Sequence, residues 1–102
     1  MNKVIRDGKV AVLYSPGFGA GWYTWNQEHP DMLFDPMIVH CVENGDLEKL
    51  SAHMELKYPS AYTGGMNDLT IEWINEGTLF RVHEYDGNES IELKEQLDWM
   101  IA

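Results

Sequence analysis

Three glycines at alternate positions, Gly17, Gly19 and Gly21, run directly into Trp22, Tyr23, Thr24 and Trp25. Two chemistries use such a pattern. A glycine turn lets a phosphate or a ring approach the backbone closely, and Trp or Tyr stacks on planar groups or anchors a partner. The spacing argues against the common phosphate motifs. A dinucleotide fold needs G-x-G-x-x-G opening a helix, whereas here the third glycine comes one residue early and aromatics follow it. No Lys-Ser/Thr pair follows for a P-loop. The segment is read as a ligand- or partner-binding loop built from Gly17, Phe18, Gly19, Gly21, Trp22, Tyr23 and Trp25. The plain alternative is that Trp22 and Trp25 cover the core, because a domain of 102 residues needs its aromatics there.

Other reactive residues carry less. His29, His40, His53 and His83 have no H-x-x-x-H spacing, and His40 and Cys41 are neighbours that point to different sides of a helix. No metal site and no cofactor are expected. One cysteine excludes an internal disulfide, and Cys41 sits in an apolar helical pattern as a small buried hydrophobe would. Ser15, Ser51, Ser60 and Ser90 form no G-x-S-x-G elbow. With ten glutamates and seven aspartates, pairs such as Glu72 with Glu92 or Glu84 with Asp86 arise without any selection for acid–base work. A hydrolase reading has only these spare carboxylates and histidines behind it.

Charge is more informative. The net charge is −10, and residues 1–9 carry Lys3, Arg6 and Lys9 against Asp7 alone, which leaves −12 on the rest. From Asp68 to Asp98 nine carboxylates face only Arg81 and Lys94. A field of this sign repels nucleic acid and anionic membrane and speeds encounter with a basic partner. Glu72, Glu84, Asp86 and Glu89 are the candidate steering residues, and general solubility is the alternative use of the same charge.

The elements that position these residues are readable in outline. Asp7-Gly8 is the two-residue turn that suits a hairpin between Val4-Ile5-Arg6 and Lys9 to Tyr14. Val10, Val12 and Tyr14 share one face of the second strand and Ala11 and Leu13 the other, so that strand is covered on both sides. Asp35-Pro36 reads as an N-cap and first helical residue, opening a helix to about Glu43, with Asn44-Gly45 as its stop. Asp46 caps a second helix to about Lys57, with Leu47, Leu50, Met54 and Tyr58 on one face. Leu69, Ile71 and Trp73, then Phe80 and Val82, then Ile91 and Leu93 alternate as strands separated by Asn75-Glu76-Gly77 and Asp86-Gly87-Asn88 turns. Residues 95–102 fit either a strand or a helix. The order ββ-αα-βββ predicts a single α+β domain over residues 1–102. Its mostly antiparallel sheet has about five strands in a meander, with a helical hairpin packed on it.

The run from Val4 through Asn26, together with Phe80 to Ile91, resembles a family of small uncharacterised acidic proteins encoded by tailed bacteriophages and related mobile elements. The resemblance implies a setting, an accessory phage protein in the bacterial host cytoplasm, and assigns no activity and no site residue. Small acidic proteins of that class commonly bind and disable host proteins, which is an analogy of class rather than of motif.

These readings converge on a non-catalytic, cytoplasmic protein that binds a host macromolecule. One form of it inhibits a basic nucleic-acid-binding defence enzyme, with carboxylates standing where phosphates would. The alternative is a protein that sequesters a small molecule or nucleotide on Trp22 or Trp25, with Lys3, Arg6 and Lys9 meeting the phosphates. An exposed Trp could equally form the seam of a homodimer.

Overall fold

A computed structural model of the chain describes residues 2–18 and 21–94. Over these residues the fold is α+β, with two α-helices and two antiparallel sheets, one of three strands and one of two. Strand β1 (Ile5–Arg6) and β2 (Lys9–Tyr14) form the first hairpin, with Ile5 opposite Val10. Asp7 and Gly8 both take positive φ, 52° and 76°, the turn geometry that follows the strands' own twist. Strand β3 (Thr70–Asn75) adds to the other side of β2, with Ala11 opposite Trp73 and Val12 opposite Glu72.

Helix α1 (Pro36–Asn44) opens where Asp35 accepts the Met37 and Ile38 amides, at 2.9 and 3.3 Å. It ends on Gly45 at φ 65°, whose amide and that of Asp46 return to the carbonyls of Val42 and Cys41. Helix α2 (Leu47–Lys57) is capped by Asp46, which accepts the Lys49 amide at 3.0 Å. Leu50, Met54 and Tyr58 are buried as their spacing predicts, while Leu47, in the first turn, is exposed.

Strands β4 (Phe80–Tyr85) and β5 (Asn88–Leu93) do not extend the first sheet as a meander would. They form a separate hairpin, turning through Asp86 and Gly87 at positive φ. The cause lies in β2, which is apolar on both faces. Ala11 and Leu13 pack with Trp22, Ile38, Val39, Leu50 and Met54 on the helical side. Val10, Val12 and Ile74 pack with Leu33 and Phe34, and Phe80, Val82, Ile91 and Leu93 of the second hairpin close over them. A flat five-stranded sheet would leave that second face in water, at a cost of roughly 2 kcal/mol for each large apolar side chain exposed. The central sheet is thus held between a helical pair and a β-hairpin. The question of strand or helix over residues 95–102 lies outside the described residues.

Candidate functional site

The glycine-aromatic segment leaves the end of β2 at Ser15 and is tied down from behind by one side chain. Glu89, on β5, is 1% exposed. Its Oε1 accepts the Ser15 amide at 2.9 Å, and its Oε2 accepts the Thr24 amide at 2.9 Å and the Thr24 hydroxyl at 2.7 Å. The Glu89 amide in turn donates to the Ser15 carbonyl at 2.8 Å. One carboxylate therefore closes both ends of the loop onto the second hairpin. This corrects the expectation that Glu89 belongs to a solvent-facing acidic field. It shares strand parity with Ile91 and Leu93, which face inward, and that alternation was the available signal.

The two tryptophans divide the roles that sequence left open. Trp22 is fully buried in the helical-side core, its Nε1 donating to the Met32 carbonyl at 2.9 Å, so it is not presented to a ligand. Trp25 is 40% exposed, and the Tyr62 ring lies against it with centroids 5.4 Å apart and planes tilted by 45°. Tyr62, missed by sequence reasoning, is brought there by the buried Asn26. That side chain donates to the Trp22 and Tyr62 carbonyls, at 2.7 and 2.9 Å, and accepts the Tyr62 amide at 2.7 Å. Nothing in the spacing of residues 26 and 62 announces this bridge. Phe18 is largely exposed and Tyr23 half-buried against both sides of the core.

Gly21 has a steric reason: a Cβ there would stand 2.5 Å from Thr24 Oγ1 and 2.7 Å from Trp25 Cδ1, whereas one on Gly17 would meet only the movable side chain of the exposed Asp68. Gly21 is therefore the position that lets Trp25 fold back against its own loop. Gly19 lies outside the described residues.

Of the remaining acidic candidates, Glu84 and Asp86 are exposed at the β4–β5 turn, and Glu84 Oε2 accepts the Gly87 amide at 2.7 Å and Trp25 Nε1 at 3.4 Å. Glu72 is also exposed but sits on β3, in the other sheet, and it pairs with Val12 rather than facing Glu92. Glu92 instead accepts from Arg81 at 2.7 Å. The basic residues expected beside the glycine loop lie instead at the β1–β2 hairpin, where Arg6 is opposite Lys9 at the end of β2 away from Ser15. Arg6 forms a two-pronged pair with Glu43 and lies over Trp73, and Lys3 lies over the Phe34 ring. Arg6 is raised and Glu43 lowered by that pairing, chiefly through the hydrogen bonds between them.

A second polar cluster joins the helices. Asp35 is buried, and besides capping α1 through Oδ1 it accepts at Oδ2 from His53 Nε2 and Lys57 Nζ, each at 3.0 Å, and from the Tyr58 hydroxyl at 2.8 Å. Burial alone would raise this carboxyl, but the bonds from His53, Lys57 and Tyr58 and the His53 charge outweigh it and hold it at about 2. Tyr58 is pushed up by burial and by its bond to Asp35. A carboxylate held this low, with both oxygens occupied, is no base at neutral pH; its role is to cap one helix and tie it to the next. The i, i+4 spacing of His53 and Lys57 was the sequence signal for the shared face.

Clefts of about 220, 210 and 150 Å3 lie beside Asp31 and Lys57, beside Cys41 and Leu69, and between Met54 and Thr63, and none of these three touches Trp22, Tyr23 or Trp25. Among the described residues no three His, Cys, Asp or Glu side chains are grouped to hold a metal ion, and no helix is long and apolar enough to cross a membrane. Comparison with protein-family models, curated proteins and solved structures finds no match to the chain.

Proposed function

We propose that the protein is a non-catalytic interaction module that takes a basic macromolecular partner on the ledge formed by Trp25 and Tyr62. The carrying observation is that this ledge is exposed while everything behind it is locked. Glu89 closes the loop ends, Asn26 fixes Trp25 relative to Tyr62, and Trp22 anchors the segment in the core. A surface ordered before it binds avoids part of the entropic cost of association, and aromatic anchors in rigid surroundings carry a large share of binding energy. The net charge of −10, with Glu84 and Asp86 beside the ledge, favours a partner of opposite sign.

The resemblance to phage accessory proteins sets this proposal in a bacterial host, where a nucleic-acid-binding defence enzyme is a partner whose basic channel an acidic surface would occupy. The nucleotide-sequestering alternative has less support. Trp22 is buried, and Lys3 and Arg6 are engaged away from the loop.

The test is capture from bacterial lysate by the tagged protein and its Trp25→Ala variant, with mass spectrometry of bound proteins and of small molecules released on denaturation. One stoichiometric basic protein, lost at high salt and lost with Trp25→Ala, is expected. Identical capture by both forms, or a nucleotide with no protein, would overturn the reading.

A further inference from the structure

The ledge has a polar end whose electrostatics are incomplete. Glu84 Oε2 is held by two N–H groups, the Gly87 amide and the Trp25 indole, so the carboxylate stands in a defined place at the edge of an exposed aromatic ring. Its Oε1 has no donor among the described residues, and no Lys, Arg or His there lies within ion-pair distance of it. Arg81, three residues back along β4, is held by Glu92 instead. Asp86, next but one along the chain, adds a second exposed carboxylate at the turn.

An indole 40% exposed, a phenol ring tilted 45° beside it and a carboxylate oxygen without a donor among the described residues together match a planar cation that both stacks and donates. A guanidinium does both. An ammonium is a compact, more strongly hydrated charge that gains less from the ring. We propose that Trp25, Tyr62 and Glu84 form a seat for an arginine side chain of the partner, the guanidinium lying on the Trp25 face and donating to Glu84 Oε1. This rests on the interaction-module reading and narrows it, because a partner would then be recognised by an exposed arginine rather than by positive charge in general. Glu84 supplies the contact that discriminates, and Gly21 and Asn26 hold the rings that make the contact worthwhile.

The probes are three short peptides identical but for one central residue, arginine, lysine or neutral citrulline, titrated at low salt against 15N-labelled protein. The Trp25 indole N–H signal is followed, assigned by its disappearance in Trp25→Phe. The arginine peptide should move that signal to saturation. The lysine peptide should bind about threefold more weakly, in line with the weaker stacking and stronger hydration of a compact ammonium. Glu84→Gln should weaken the arginine peptide about fivefold, the loss of one charge-assisted contact, whereas Asp46→Asn, a remote carboxylate change, should not. Glu84 is exposed, and an unchanged remainder of the spectrum reports that the variant is folded. Equal affinities for arginine and lysine, or equal effects of Glu84→Gln and Asp46→Asn, would reduce the seat to general charge attraction and overturn it. No shift with peptide, or a shift produced only by raising protein concentration as a second copy takes the ledge, would overturn it too. Lysate capture that still depends on Trp25 in those cases would leave the broader module reading standing, and its absence would remove both.

Discussion

Replacing Asp35 separates two contributions that a single side chain makes to the helical pair. Asp35→Ala removes the α1 cap, worth about 1 kcal/mol. It also leaves the Tyr58 hydroxyl buried without an acceptor, which costs about 2 kcal/mol. Lys57 and His53 reach solvent and recover water, their side chains being 46% and 20% exposed. The expected loss is therefore about 3 kcal/mol, a large part of the roughly 10 kcal/mol by which a domain of this size is folded. Asp35→Ser keeps a capping oxygen and should lose about 1 kcal/mol less. Acid gives an independent reading. The Asp35 carboxyl is depressed from its ordinary 3.8 to about 2. Its contribution is therefore fully present above the unfolded value and disappears as pH falls from about 4 through about 2, a loss of about 2 kcal/mol from this group. Urea unfolding at neutral pH and at pH 2–4, with the slope checked for constancy, measures both effects. An Asp35→Ala protein within about 0.5 kcal/mol of the parent, the range of an ordinary surface change, or one that keeps the parent's acid dependence, would refute the reasoning.

Three other outcomes follow from the same geometry. Glu89→Gln supplies one acceptor oxygen where three donors converge, and should cost about 2 kcal/mol and speed hydrogen exchange at the Ser15 and Thr24 amides; unchanged exchange there would mean that the loop is not held by Glu89. Gly21→Ala drives a methyl into Thr24 and Trp25, so the near-ultraviolet dichroism of Trp25 should change and partner capture fall, while an unaltered spectrum would show that the loop absorbs the methyl. The Cys41 thiol, buried and pushed up first by that burial, should react with a disulfide reagent only as the protein unfolds. Rapid modification under native conditions would contradict its placement.

Much of the fold was legible because the responsible signals are local. Asp7-Gly8 and Asp86-Gly87 demand positive φ at both positions, and Asp35-Pro36, Gly45 and Asp46 bound the helices with their own hydrogen bonds. The two-sided β2 strand was also legible in its alternation, and it implied a covering layer without saying which. Asn75-Glu76-Gly77 suits a paired meander and a crossing to another layer equally, so the split into two sheets depended on the long-range closure of the Val10 and Val12 face. The site was less legible. A glutamate in a hairpin strand reads as solvent-facing by type, and only its parity with Ile91 and Leu93 places Glu89 inside. Trp22 and Trp25 stand in one irregular loop with no periodicity to assign one inward, and Tyr62 reaches Trp25 through Asn26, a contact across 36 positions of chain.

The most direct test of the proposed binding ledge is site-specific photo-cross-linking in bacterial cells, with a photoreactive phenylalanine at Tyr62 or, as a control, at the exposed Ile5 on β1 at the other end of β2. One dominant cross-linked basic protein is expected from position 62, diminished by Glu84→Gln, and none from position 5. Equal cross-linking from both positions, or from position 5 alone, would contradict it.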